Sequence, residues 1–172
     1  MRKLISFGLL FWSYVLIQTN ISILPRCIPT HFNAGGNVDG WGSPDMLWTL
    51  LAAQAFTTAL FLIVPLIGER FPAMVNLGTH RLSDYTAAQR VRIQPLLRDL
   101  AAYLSIVMNL FFVFMLNGII GAARQTHPHL PIAWPLGFLM GSMLCIVLYY
   151  IRKTYEVAKE VDPKSEETGV TP

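Results

Sequence analysis

Charge is what this chain has least of. Only 13% of its 172 residues are Asp, Glu, Lys or Arg, about half the usual share for a soluble protein, so a fully water-exposed surface is excluded. Cysteine is scarce too: Cys27 sits at the edge of one apolar run and Cys145 well inside another. At a rise of about 1.5 Å per residue their Cα atoms stand roughly 20 Å apart, too far for a disulfide. Both are read as free thiols. There is no nucleophile elbow, phosphate-binding loop, zinc-protease motif or redox cysteine pair, which removes the commonest enzyme classes. The net charge is +3, but Lys and Arg are scattered beside the apolar runs and form no aromatic-interleaved basic patch. No nucleic-acid partner and no cofactor are expected.

What is abundant is hydrophobicity, at 53% of residues, gathered into four long runs. Each run is long enough for a helix that crosses a bilayer. The expected fold is an all-α integral membrane protein, a single domain over 1–161 with spans at about 4–24, 46–68, 100–122 and 132–151. A disordered tail over 162–172 follows. The first run begins like a signal peptide, but it is too long and ends at Leu24 and Pro25 without paired small residues, so it is read as an uncleaved span. Ser43, Pro44 and Asp45 suit the start of the second span. Thr86 to Gln89 fits a capping box and predicts a short interfacial helix that ends before Pro95. None of the four spans contains Asp, Glu, Lys, Arg or His, which disfavours a proton-coupled transporter.

Eleven of the thirteen Lys and Arg residues lie at the chain ends and between spans two and three, leaving Arg26 and Arg124 for the other side. The bias predicts cytoplasmic termini and outer loops at 28–43 and 124–131. The 28–43 loop combines Gly, Asn, Asp and Pro with His31, Asn33, Asp39 and Trp41. Asp39 and Gly40 signal a turn, and Gly35 and Gly36 permit a second reversal, which lets these side chains converge. Two readings of the site follow. In one, Gln18, Gln54 and Asn117 form a polar floor under a lid of His31, Asn33, Asp39 and Trp41 that binds a ligand. Here the plain alternative is interhelical hydrogen bonding that stabilises the bundle. In the other, His31, Asp39, His127 and His129 hold a transition metal, against the plain alternative of solvated interfacial histidines. Asn109 is assigned to packing, and Gly137 with Gly141 to close helix approach or a homo-oligomer face.

The residues Ile28, Pro29, Thr30, His31, Phe32, Asn33 and Ala34, then Gly36, then Asp39 to Ser43, resemble the signature of a bacterial membrane family of unknown function. The same domain forms the N-terminal part of SdpI-type proteins, among them toxin-immunity and signal-relaying members. The resemblance implies a bacterial plasma-membrane location and no established catalytic activity. Two departures stand out: Pro44 follows Ser43 where members often have Lys, and this chain carries four spans where SdpI-type proteins continue into a further membrane region. The partners expected are the lipid bilayer and an envelope ligand, peptide or membrane protein. A metal-dependent membrane enzyme and an accessory subunit of a complex stand as alternatives.

Overall fold

The fold was obtained as a computed structural model, in which residues 2–77 and 80–160 are described. The expected tail at 162–172 lies outside them. Four helices dominate: α1 (Arg2–Asn20), α2 (Met46–Arg70), α3 (Ala87–Ala122) and α4 (Ala133–Glu160). With the turn that extends α1 to Ile23, all four contain stretches long and apolar enough to cross a membrane, so this is a membrane protein. Their positions follow the four apolar runs closely.

Two expectations are corrected. The chain is not wholly helical, because the 28–43 segment is an antiparallel hairpin of β1 (Ile28–Phe32) and β2 (Val38–Gly42). Nor is there a separate short helix before Pro95. The Thr86 box forms, with Thr86 Oγ1 accepting from Gln89 N at 3.3 Å and Gln89 Oε1 from Thr86 N at 2.9 Å. The helix it starts then continues through Pro95 into the membrane span. Proline removes one backbone donor, but Pro95 is exposed, and buried Gln89 and Ile93 hold the turns before it.

α3 is the central element, packing against α1, α2 and α4. α4 meets it along one stripe that includes Leu139, Tyr150 and Thr154, a spacing that returns to one helix face. Gly137 and Gly141 lie off that stripe, and a Cβ built on either meets nothing within 4 Å. They do not mediate close approach within the protomer. At the N-terminal end of α1, Arg2 pairs with Asp99, and Arg98 pairs with Glu69 at the foot of α2. At the opposite end Arg124 donates to Asn20 Oδ1. Cys27 and Cys145 are free thiols.

Inside the three-helix contact runs a polar seam. Ser105 Oγ donates to Ser6 Oγ at 3.0 Å, Asn109 Nδ2 to Thr58 Oγ1 at 2.8 Å, and Gln54 Nε2 to Asn109 Oδ1 at 2.8 Å. Every one of these side chains is buried. Ser13 Oγ and Gln54 Oε1 are buried without a hydrogen-bond partner among the described residues. Interhelical bonds of this kind contribute on average about 0.6 kcal/mol in a membrane, while a buried polar atom left unpaired costs about 1–3 kcal/mol. Two substitutions separate these effects. Asn109→Leu strands Gln54 Nε2, while Thr58 Oγ1 keeps its bond to Gln54 O, and is expected to lower unfolding stability in mild detergent by about 1–3 kcal/mol. Ser13→Ala removes an unpaired hydroxyl and is expected to be neutral or stabilising.

Candidate functional site

The hairpin sits on the ends of the bundle because one of its faces is apolar. Ile28 and Phe32 are buried in a cluster with Ile17 of α1, Leu47 of α2, and Leu116, Ile119 and Ile120 of α3. Burying each such side chain contributes about 1.5–3 kcal/mol, enough to hold a short two-stranded sheet that would be marginal alone. Among the described residues this cluster fills the space beneath it, and Gln18, Gln54 and Asn117 do not gather there as a polar floor.

Strand register determines what the other face presents. Pro29 pairs with Trp41, His31 with Gly40 and Phe32 with Val38, so Thr30 on one strand and Asp39 on the other are extra residues flanking the His31 pair. Such bulges re-aim side chains. Here they put His31 beside Asp39, with Nδ1 donating to the carboxylate Oδ1. Both side chains remain open, His31 at 73% and Asp39 at 43% exposure. Trp41 follows Asp39 by two residues, shares its face, and is 55% exposed. Gly40 serves this approach rather than a turn: a Cβ there would stand 2.8 Å from His31 Cβ.

The reversal lies instead at Asn33 to Asn37. Asn33 Oδ1 accepts from Gly35 N at 2.9 Å and Asn37 N at 3.1 Å, and Asn33 O accepts from Gly36 N at 2.8 Å. Asn33 is therefore committed to shaping the turn. Gly36 has φ +81°, a conformation that L side chains adopt at a cost. The 124–131 loop closes on this turn, as Leu130 N donates to Gly36 O at 2.9 Å and His129 Nε2 lies 3.0 Å from Gly35 O. A carbonyl only accepts, so Nε2 of His129 carries the proton.

The sequence-derived sites are thus redistributed. His31 and Asp39 come together on the hairpin, and Trp41 is exposed two residues further along β2. His129 clamps the turn, His127 stays exposed, and among the described residues no three His, Cys, Asp or Glu groups could hold a metal ion. The set His31, Asp39, His127 and His129 is not assembled because two of its members lie on a loop used as a strut. Gln18 bonds Tyr14 Oη at 3.2 Å and Asn117 bonds Val113 O at 3.1 Å, both on exposed helix surface. Gln54 belongs to the buried seam. Asn109, assigned to packing, is that seam's hub. The i, i+4 spacing of Ser105 with Asn109 and of Gln54 with Thr58 was the signal for it.

The turn geometry yields a direct test by amide hydrogen exchange. Gly36→Ala meets both the positive φ and His129 Nε2, 2.9 Å from the added Cβ. It is expected to cost about 1–3 kcal/mol of local stability and to abolish protection at Asn37 and Leu130. Gly8→Ala, where the added Cβ meets nothing, should leave exchange unchanged. Retained protection in Gly36→Ala would contradict this account of the turn.

Comparison with known sequences places these features in context. Residues 4–58 match a family described as a domain of unknown function (DUF1648). The match covers α1, the hairpin and the first half of α2. A protein of Archaeoglobus fulgidus described as "Uncharacterized protein" is similar, at 38% identity over 72 residues, which is 40% of this chain and 38% of that one. The chain therefore spans well under half the length of that relative. No solved structure matches.

Proposed function

We propose that this is a non-enzymatic protein of the bacterial plasma membrane whose hairpin presents a recognition surface to the outside, for an envelope ligand, peptide or partner protein. A signalling or immunity-like role follows from that reading. The observation that carries it is the two-faced hairpin: Ile28 and Phe32 are anchored in the bundle while His31, Asp39 and Trp41 stand exposed on a braced turn. An exposed indole on the same hairpin as a paired imidazole and carboxylate supplies apolar area as well as directional hydrogen bonding, the mixture found at recognition hot spots. The charge bias supports the orientation, with both termini cytoplasmic.

The readout would run along α3. β1 packs against α3, and that helix continues for 36 residues without interruption to Ala87, passing Arg90 and Arg92. At about 1.5 Å per residue it links the hairpin to the basic segment over about 54 Å. The open Gly137 and Gly141 face of α4 supports a homo-oligomer or accessory-subunit contact.

Photocrosslinking tests the recognition reading in living cells. A photoreactive residue in place of Trp41 is expected to trap a discrete adduct, and His31→Ala or Asp39→Ala should reduce its yield by about tenfold, as for loss of a polar hot-spot contact of roughly 1.4 kcal/mol. If Trp41 and the exposed, helix-borne Phe138 give the same adduct pattern, the hairpin is not a recognition surface.

A further inference from the structure

On the flank of α1, away from the hairpin's exposed face, lies an apolar groove of about 310 Å³. Phe7, Phe11 and Tyr14 of α1 form one wall, and Leu51 and Ala55 of α2 the other. The Phe11 and Tyr14 rings stack with centroids 6.4 Å apart, making that wall flat. Trp48 packs on Tyr14 at 6.0 Å and narrows the far end.

Residues 3, 7, 11 and 14 share one face of a helix, so Lys3 stands at the foot of the groove, one turn below Phe7. Its distance from Tyr14 along the helix is 11 residues, about 16 Å. That is close to one leaflet of a hydrocarbon core about 30 Å thick. Lys3 is exposed and has no hydrogen bond or salt bridge among the described residues. Both acids at this end are already engaged: Asp99 pairs with Arg2, and the two oxygens of Glu69 accept from Arg98. The Lys3 ammonium lies within Coulombic reach of Glu69 but makes no hydrogen bond or salt bridge to it, so its donors stay open to an anion arriving from the bilayer.

We propose that this groove is a binding site for one anionic phospholipid of the leaflet at the Lys3 end, its phosphate against Lys3 and one acyl chain lying between α1 and α2 as far as Tyr14. Charge selects the headgroup, and groove length fits the chain. The assignment is independent of the hairpin and of its ligand.

Native mass spectrometry of the full chain, released from mild detergent after equilibration with equal phosphatidylglycerol and phosphatidylcholine, tests it. The wild-type protein is expected to retain one phosphatidylglycerol in about fivefold preference, the size of one Lys acting near an anionic surface. Lys3→Gln should erase the preference, and Ala55→Phe, which fills the groove, should displace the lipid. Arg92→Gln, which removes an exposed cation elsewhere, should leave both unchanged. A preference that survives Lys3→Gln, or that falls equally with Arg92→Gln, would overturn the site. So would full retention of lipid by a folded Ala55→Phe variant.

Discussion

Inside a bilayer there is no water to satisfy a polar group, so every such group must find its partner within the protein or face the cost of going without. The seam from Ser6 through Ser105 and Asn109 to Thr58 and Gln54 meets most of that need for three helices at once, with Gln54 Oε1 left unpaired among the described residues. Asn109 is placed to do so because α3 lies between α1 and α2, and a carboxamide both donates and accepts. The seam gives the bundle a defined register that apolar side chains facing apolar lipid would specify weakly. α4, by contrast, packs chiefly on α3 among the described residues, which leaves most of its surface to lipid or to another protein.

The hairpin depends on this register. Its buried face needs Ile17, Leu47 and Leu116 to arrive together at one end of the bundle, and that requires the three helices to be fixed relative to one another. Once seated, the strand pair is braced from a second direction by His129 and Leu130. Among the side chains it leaves exposed are the paired His31 and Asp39, and Trp41, held on a braced base. A surface of this kind can recognise a partner without first being ordered, which lowers the entropic cost of binding.

The four spans could be read directly from the sequence, since a run of about 20 apolar residues has few other uses. The Thr86 box was equally legible because a cap is a local interaction. The hairpin was only partly legible: the reversal at Gly35 and Gly36 could be read, but Asp39 with Gly40 looks like a turn and instead lies within β2. Only the cross-strand approach to His31 reveals what Gly40 is for. The supposed polar floor failed for a similar reason: Gln18, Gln54 and Asn117 lie at plausible depths, but depth says nothing about which way a helix face points. His31, Asp39 and Trp41 were identifiable by residue type, whereas the pairing of His31 with Asp39 and the separation of His127 and His129 depend on strand register and loop packing.

Cys27 immediately precedes β1 and is exposed, so the protein carries its own reporter beside the hairpin. Labelling intact cells with a membrane-impermeant thiol reagent asks directly whether this surface faces the envelope. The account predicts labelling of the wild-type protein from outside and none of a Cys27→Ser variant. Labelling of Cys27 only in inverted vesicles would place the hairpin on the cytoplasmic side and contradict the proposed role.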